Sequence, residues 1–275
     1  MCGSAREEPP KTRNFGIATS FEFRLHPIGP MVTGGLIAYP FSEARDVLRF
    51  YRDTTNLLSD EHIVFAGLTH APDGSGAKLV VIITCHCGSP AEGEAAMRPL
   101  KQFGSPVLDA LGPLTYCQLN TMLDAGNPKG ALNYWKSSFL AQLTDDAIDT
   151  MIESFASCPA PMGGLLLEHF HGAATRVGAT ETAFPHRADG YNLLVLAQWM
   201  EAAASDKCVA WARETYAAME PSFANGRYAN YLDDDEAGDS VVAAYGPNYR
   251  RLQEIKTKYD PTNFFHINQN IRPSF

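Results

Sequence analysis

The sequence predicts an α+β fold in which an antiparallel β-sheet is covered by α-helices, mainly on one face. Two observations lead to this prediction: the predicted strands come in adjacent pairs along the chain, and the predicted helices lie between those pairs. That order is typical of antiparallel sheets that keep one face against helices. The chain has 275 residues, of which 45% are hydrophobic, so it can bury a sizeable core.

Six strands are predicted from short runs that are rich in β-forming residues. The first covers residues 14–27, where β-forming side chains alternate along the chain as far as His26-Pro27. The PDGSG run between the third and fourth strands is typical of a turn. In chain order the predicted strands are NFGIATSFEFRLHP, GGLIAYP, HIVFAGLTH, KLVVIITCHC, GGLLLEHFHG and GYNLLVLAQW.

Six helices are predicted from their composition and, in the clearest cases, from apolar residues that recur at helical spacing. Ser42 is the predicted N-cap of the first helix. The last helix is expected to end before Pro261, because the residue before a proline avoids the helical conformation. In chain order the predicted helices are SEARDVLRFYRDTT, AEGEAAMRPL, SPVLDALG, DDAIDTMIESFAS, DKCVAWARETYAAME and PNYRRLQEIKTKYD.

Charge and hydropathy exclude several classes of partner. The net charge is −9, which argues against nucleic acid, because phosphate binding needs a basic face. No apolar run reaches the roughly 20 residues that a membrane crossing needs, so no membrane partner is expected. The start of the chain, MCGSAREEPPKTRN, is polar, and the six cysteines are scattered. We therefore expect a cytoplasmic protein with free thiols.

Three short runs carry groups that can bind metals, but none predicts a metal site. In the CHC run at 85–87, a strand would point both thiols to one face and the imidazole to the other, which favours core cysteines. The HFH run at 169–171 offers two imidazoles without a third ligand, so a hydrogen-bonded or surface pair is favoured. The DDDE run at 233–236 is typical of a solvated acidic loop.

The C-terminal third carries a resemblance to a known family. RYANYLDDDE (227–236), YGPNYRRLQEIKTKYDPTNFFHINQNIRP (245–273) and AFPHRADGYNLLVLAQW (183–199) resemble the C-terminal part of berberine bridge enzyme-like flavoproteins. These are FAD-linked oxidases of the vanillyl-alcohol oxidase superfamily. The stretch NFGIATSFEFRLHPIGP resembles the point where the flavin domain of that family continues into its substrate domain.

The resemblance divides the chain into three parts: a non-matching leader at 1–13, a substrate-binding α+β domain at 14–220 and a berberine bridge-like C-terminal segment at 221–275. It also implies that the family's N-terminal FAD-binding domain is lacking, so any FAD is expected to be held non-covalently at most. The residues before Asn14 are Pro-Lys-Thr-Arg, where the family has glycines that let the backbone approach the cofactor.

The same resemblance implies cofactor contacts near both ends of the chain. The pyrimidine edge of a flavin is recognised by amide donors and acceptors, which the C-terminal tail, residues 259–273, supplies. The alternative is that these amides cap the last helix and close the edge of the sheet. The residues implied to contact FAD are Asn14, Gly16, Asn230, Asn268, Gln269 and Asn270.

Tyr231 is implied to be the general base, taking a proton from a substrate alcohol or phenol. It is expected on a short strand from Tyr228 to Tyr231. Because a free phenol has a pKa near 10, this role needs strong stabilisation of the phenolate. Where relatives often carry an acidic residue, this chain has Asn192, which cannot accept a proton, so a second carboxylate base is in doubt. The implied substrate-binding residues are Tyr191, Asn192, His186 and Tyr228.

Three functional hypotheses follow from the resemblance. The first is the substrate-binding and base-bearing portion of an FAD-dependent oxidoreductase acting on a small-molecule alcohol, phenol, sugar or secondary metabolite. The second is a flavin-free enzyme of the cyclase or isomerase type, and the third is a non-catalytic scaffold. The expected partners are the small-molecule substrate and either a separate flavin domain or further copies of the chain, because a bare apolar surface favours association.

Overall fold

The computed structural model describes residues 14–26, 28–232, 240–267 and 269–274. Its strands form one antiparallel sheet in the order β4-β1-β3-β2-β7-β8-β6, with β5 also paired to β1. The strands are β1 (Met31–Pro40), β2 (His62–His70), β3 (Lys78–His86), β4 (Leu108–Asp109), β5 (Gly112–Thr115), β6 (Leu132–Leu140), β7 (Gly164–Phe170) and β8 (Gly190–Trp199).

Helices cover one face of this sheet, so the predicted α+β class is confirmed. The α-helices are α1 (Ala44–Thr55), α2 (Pro90–Gln102), α3 (Tyr116–Thr121), α4 (Asp145–Ala156), α5 (Ser205–Met219), α6 (Ser240–Tyr245) and α7 (Tyr249–Tyr259). The main core lies between the sheet and α1, α2, α4 and α5. No helix in the described part of the chain is long and apolar enough to cross a membrane.

The alternation of side chains along β7 and β8 separates the core from a second, open face of the sheet. Leu165 and Leu167 on β7 belong to the core, as do Leu193 and Val195 on β8. Adjacent residues of a strand point to opposite faces. The residues that alternate with them, including Glu168 on β7, therefore lie on the face away from these helices, where the candidate site is found.

Local sequence signals explain where several helices begin. Ser89 begins α2 with a capping box, in which its hydroxyl accepts a hydrogen bond from the Glu92 N–H and the Glu92 side chain bonds back. Thr144 caps α4 by accepting a hydrogen bond from the Ala147 N–H. The predicted cap at Ser42 is wrong, because a short 3-10 turn precedes α1 and Glu43 occupies the N-cap position.

Three other predictions of local structure are wrong. Residues 14–26 do not form a strand, because they pair with no other strand among the described residues. The predicted helix SPVLDALG is instead a short edge strand, Leu108–Asp109, against β1. The predicted strand at 228–231 is a 3-10 turn over Ala229–Tyr231, closed by a hydrogen bond from the Tyr231 N–H to the Tyr228 carbonyl.

Candidate functional site

A partly buried carboxylate lies on the open face of the sheet. Glu168 accepts a hydrogen bond at Oε2 from Nδ2 of Asn192, at 2.8 Å, and one at Oε1 from the hydroxyl of Tyr231, at 3.3 Å. Burial raises the pKa of Glu168, and the two hydrogen bonds offset this only in part. Among the described residues, no basic side chain forms an ion pair with it. Glu168 is therefore a carboxylate with neutral partners only.

The register of the sheet sets this arrangement. Glu168 on β7 is directly opposite Asn192 on β8, and on its other side it is opposite Phe65 of β2. Directly opposed residues of antiparallel strands share a face and lie close together. The 3-10 turn at Ala229–Tyr231 then brings the Tyr231 hydroxyl to the carboxylate. The neighbouring strand thus places a carboxylate directly beside position 192.

Tyr231 acts in this structure as a hydrogen-bond donor. Burial raises its pKa well above the ordinary value, and the negative charge of Glu168 raises it further. The surroundings therefore keep the phenol protonated. The role implied for Tyr231, that of a general base, needs stabilisation of the phenolate, which would lower its pKa instead.

An aromatic wall adjoins the Glu168–Tyr231 pair. We define it as His186, Phe184, Tyr228 and Tyr231, whose successive ring centroids are 5.5, 5.7 and 5.0 Å apart. Burial lowers the pKa of His186, although its Nε2–H donates to the Ala244 carbonyl at 3.0 Å. The wall therefore presents mainly aromatic surface, with neutral imidazole and phenol groups at its ends.

Two details fix the side chains of this wall. A β-carbon at Gly226 would lie 2.3 Å from Cε1 of His186, and the φ angle there is +104°, so this position requires glycine. Nδ2 of Asn230 donates to the Tyr228 hydroxyl at 2.9 Å. Of the residues predicted from sequence, the structure thus brings His186, Tyr228, Asn230 and Tyr231 into one contiguous set.

Tyr191 does not belong to this set, which corrects the expectation that it lines the same substrate site as Asn192. Its side chain points into the helix-covered core, where its hydroxyl is 2.6 Å from Oγ1 of Thr55. The physical reason is the alternation of the strand, which sends adjacent residues to opposite faces. Tyr191 is therefore a core residue with a satisfied hydroxyl.

The tail amides bind the two ends of the described chain together. Asn14 donates from Nδ2 to the Gln269 carbonyl at 3.1 Å and accepts at Oδ1 from the Ile271 N–H at 2.8 Å. Nε2 of Gln269 donates to the carbonyl of Leu232, at 3.0 Å, next to Tyr231. Both polar ends of the Asn14 side chain are thus engaged by the tail, and Gln269 ties the tail to the turn that carries Tyr231.

Among the side chains implied to contact FAD, two amides have a buried oxygen that remains unsatisfied. Oε1 of Gln269 and Oδ1 of Asn270 are buried and accept no hydrogen bond from any described residue. At Gly16, an added β-carbon would meet no described atom within 4 Å. Asn268 lies outside the described residues. The cofactor contacts implied at these positions stay predictions.

A buried ion pair anchors the same region. Nζ of Lys256 donates to Oδ2 of Asp260 at 2.5 Å and to the carbonyls of Asn14 and Phe265, each at 2.6 Å. Burial would raise the pKa of Asp260, but the bonds from Lys256 and from two backbone N–H groups outweigh it, so the pKa lies below its usual range. This lysine joins the start of the described chain, α7 and the tail.

The metal-binding runs form no metal site in the described structure. No group of three or more histidine, cysteine or acidic side chains within the described ranges is arranged to hold a metal ion. The rings of His169 and His171 stack 4.7 Å apart, as a pair. The DDDE run at 233–236 lies outside the described residues.

Glu168, the central residue of the site, was not predicted from the sequence. It stands as the lone acid in the predicted strand GGLLLEHFHG. That isolation in an apolar run was the available signal, since an acidic side chain is rarely buried without a partner or a role.

Comparisons with known proteins agree with this fold and with the C-terminal segment. Residues 227–272 match the family model "Berberine and berberine like". An FAD-linked oxidoreductase of Dictyostelium discoideum is 25% identical over 262 residues, which cover 94% of this chain and 56% of the relative. The (R)-6-hydroxynicotine oxidase of Paenarthrobacter nicotinovorans is 29% identical over 274 residues, covering 94% of this chain and 58% of the relative.

The fold is also shared with a solved structure. The berberine bridge enzyme from Eschscholzia californica superposes with a TM-score of 0.75 at 17% identity, covering 89% of this chain and 55% of that one. The chain therefore spans just over half the length of the proteins that it resembles.

Proposed function

We propose that this chain, whose residues 227–272 match the berberine and berberine-like family model, forms the substrate-binding and proton-accepting portion of an FAD-dependent oxidoreductase. Its substrate would be a small-molecule alcohol, phenol, sugar or secondary metabolite. The observation that carries the proposal is the Glu168–Tyr231 hydrogen bond on the open face of the sheet. A partly buried carboxylate with a raised pKa and no cationic partner is typical of a proton acceptor.

The two side chains would act together on the proton of the substrate hydroxyl. Oxidation of an alcohol breaks the O–H bond and transfers a hydride from the adjacent carbon. FAD, when bound, supplies the hydride acceptor. Tyr231 would take the hydroxyl proton as it passes its own proton to Oε1 of Glu168, with which it is already hydrogen-bonded. A free phenolate then never has to accumulate, which suits the raised pKa of Tyr231.

The tail offers groups that fit a flavin. The isoalloxazine ring carries an N–H donor between two carbonyls on its pyrimidine edge. The unsatisfied oxygens of Gln269 and Asn270 are acceptors of the kind that such an N–H requires. Asn230 and Gly16 remain proposed contacts from the resemblance, whereas the side chain of Asn14 acts through the tail that it holds.

We propose a partner surface on the same open face of the sheet. Phe65, Ile83 and Leu166 are only half-buried there, and Ile63 is 41% exposed. Such an apolar surface is suited to a separate flavin-binding unit or to a second copy of the chain. Analytical ultracentrifugation over a wide concentration range checks this, and a monomer at every concentration, with no flavoprotein partner, would refute it.

The proposed function is tested first by a flavin titration. Absorbance is recorded between about 350 and 500 nm while FAD is added to the purified protein, alone and with any flavin-binding partner. A bound flavin band that is bleached anaerobically by an alcohol or phenol supports the proposal. A protein that binds no flavin under either condition contradicts it, and turnover of a substrate without flavin would indicate a non-redox enzyme instead.

The role of Glu168 is tested separately with Glu168→Gln, which keeps the size of the side chain and removes the proton acceptor. The matched control is Glu94→Gln, at an exposed position of α2. We expect flavin binding to persist in both variants and bleaching to slow only in Glu168→Gln. Equal bleaching rates in the two variants would remove Glu168 from the mechanism.

A further inference from the structure

A cavity lies on the helix-covered side of the sheet, away from Glu168. Its volume is about 420 Å³, which is within the range of pockets that bind small molecules. The walls are mostly apolar and include Phe50 of α1, Leu58, and Ala96 and Pro99 of α2. Its polar floor includes two buried imidazoles, His62 and His86, which are paired across β2 and β3.

Hydrogen bonds fix which nitrogen of His62 carries the proton. The Thr84 hydroxyl donates to the Ile63 carbonyl at 2.9 Å, so its only hydrogen is used there. Nε2 of His62, 2.8 Å from the Thr84 oxygen, must therefore be the donor in that contact. In a neutral ring Nδ1 is then an acceptor, and no described residue donates to it. Burial lowers the pKa of His62 to about 4, so the ring is neutral at physiological pH.

His86 has the same tautomer, but its other nitrogen is the one left without a partner. Its Nδ1 accepts a hydrogen bond from the Gly88 N–H at 3.1 Å. Neutral imidazole carries one proton, so that proton must lie on Nε2, which makes Nε2 a donor. No described residue accepts from it. The two rings, whose centroids are 5.6 Å apart, thus offer one free acceptor and one free donor.

We propose that this cavity binds a small neutral molecule with an apolar body and one hydroxyl group, such as a phenol or an alcohol. A hydroxyl is the simplest group that donates to Nδ1 of His62 while accepting from Nε2–H of His86. A carboxylate has no hydrogen to donate and would be buried near neutral imidazoles and the carboxylate of Asp53, which also lines the cavity. A carbonyl group satisfies only the donor.

The test compares phenol, toluene and benzoate as probes, because phenol and toluene differ only by a hydroxyl in place of a methyl group. Binding is measured by calorimetry and by the ¹⁵N shifts of the histidine rings. We expect phenol to bind about tenfold more tightly than toluene, as two net hydrogen bonds allow, and benzoate to bind more weakly than phenol. Toluene binding as tightly as phenol, or no saturable binding of phenol, would overturn the proposal.

Two variants test whether phenol binds in this cavity. Ala96→Phe fills the cavity and should abolish phenol binding, whereas Ala95→Phe places the same ring at an exposed neighbouring position of α2 and should leave binding unchanged. Equal phenol affinity in both variants would show that the site lies elsewhere. Since neither residue is part of the open face, flavin titration of the same variants separates this proposal from the proposed function.

Discussion

Two carboxylates of this chain, Asp260 and Glu168, have opposite surroundings. Asp260 accepts hydrogen bonds from Lys256, whose side chain is 0% exposed, and from two backbone N–H groups. Glu168 accepts hydrogen bonds only from the neutral side chains of Asn192 and Tyr231. The pKa of Asp260 is accordingly lowered, whereas the pKa of Glu168 is raised.

From this difference we assign a structural role to Asp260 and a functional role to Glu168. Burying a charge is costly unless it is paired and hydrogen-bonded. The Lys256–Asp260 pair meets that condition and ties three segments of the chain together. Glu168 does not meet it, and proteins keep such destabilised groups mainly where chemistry requires them.

The largest expected effect on stability comes from breaking the paired charge. Lys256→Met leaves Asp260 buried without its cation, and we expect the free energy of unfolding to fall by about 3–5 kcal/mol in denaturant titrations. The control is Lys258→Met, at an exposed position of the same helix, which should change stability little. An equally small loss in both variants would show that the pair does not anchor the tail.

Glu168→Gln is expected to have the largest effect on activity. Removing the proton acceptor should slow anaerobic flavin bleaching by about 100-fold, the lower end of what general base catalysis contributes. The fall should appear in the maximal rate rather than in the substrate concentration at half-saturation. A variant with an unchanged maximal rate would indicate that Glu168 only positions Tyr231.

The same variant should show the cost of the unpaired carboxylate in stability measurements across pH. A raised pKa means that folded Glu168 binds its proton more tightly than the unfolded chain does. The wild type should therefore lose stability relative to Glu168→Gln as the pH rises from about 4.3 through the folded pKa. Below about pH 4.3 the difference in stability between the wild type and Glu168→Gln should level off. A difference that does not depend on pH would contradict the raised pKa.

The smallest predicted effect is that of Tyr231→Phe on stability. It removes one hydrogen bond to Glu168 and should cost about 1 kcal/mol, while raising the pKa of Glu168 further. Tyr228→Phe is the matched control, because its hydroxyl meets only the exposed side chain of Asn230 in the described structure. If the pKa of Glu168 is the same in Tyr231→Phe and in Tyr228→Phe, the phenol of Tyr231 does not interact with Glu168.

The sequence predicted those parts of the fold that a local pattern determines. Strands β2, β3, β7 and β8 were predicted from their runs of β-forming residues, and α4 from its apolar stripe. Strand β6 was missed, because Lys136, Ser137 and Ser138 interrupt its apolar pattern although all three are buried. Residues 14–26 carry a strand pattern, but a strand also needs a neighbour to pair with.

The candidate site depends on contacts that no local pattern contains. Glu168 and Asn192 meet because of the β7–β8 register, and the two residues are 24 positions apart in sequence. Tyr231 reaches them only through a turn that the sequence analysis predicted as a strand. The misplacement of Tyr191 was avoidable, since strict alternation already assigns it to the face opposite Asn192.

The most direct test of the central claim is an NMR titration of the carboxyl carbons in protein labelled with ¹³C at aspartate and glutamate side chains. Comparison with Glu168→Gln assigns the Glu168 signal, and the Asp260 signal provides the internal reference for a paired carboxylate. We predict that Glu168 titrates above the ordinary glutamate value of about 4.3 and that Asp260 titrates below the ordinary aspartate value of about 3.9. A Glu168 carboxyl that titrates at or below 4.3 would contradict its assignment as the proton acceptor.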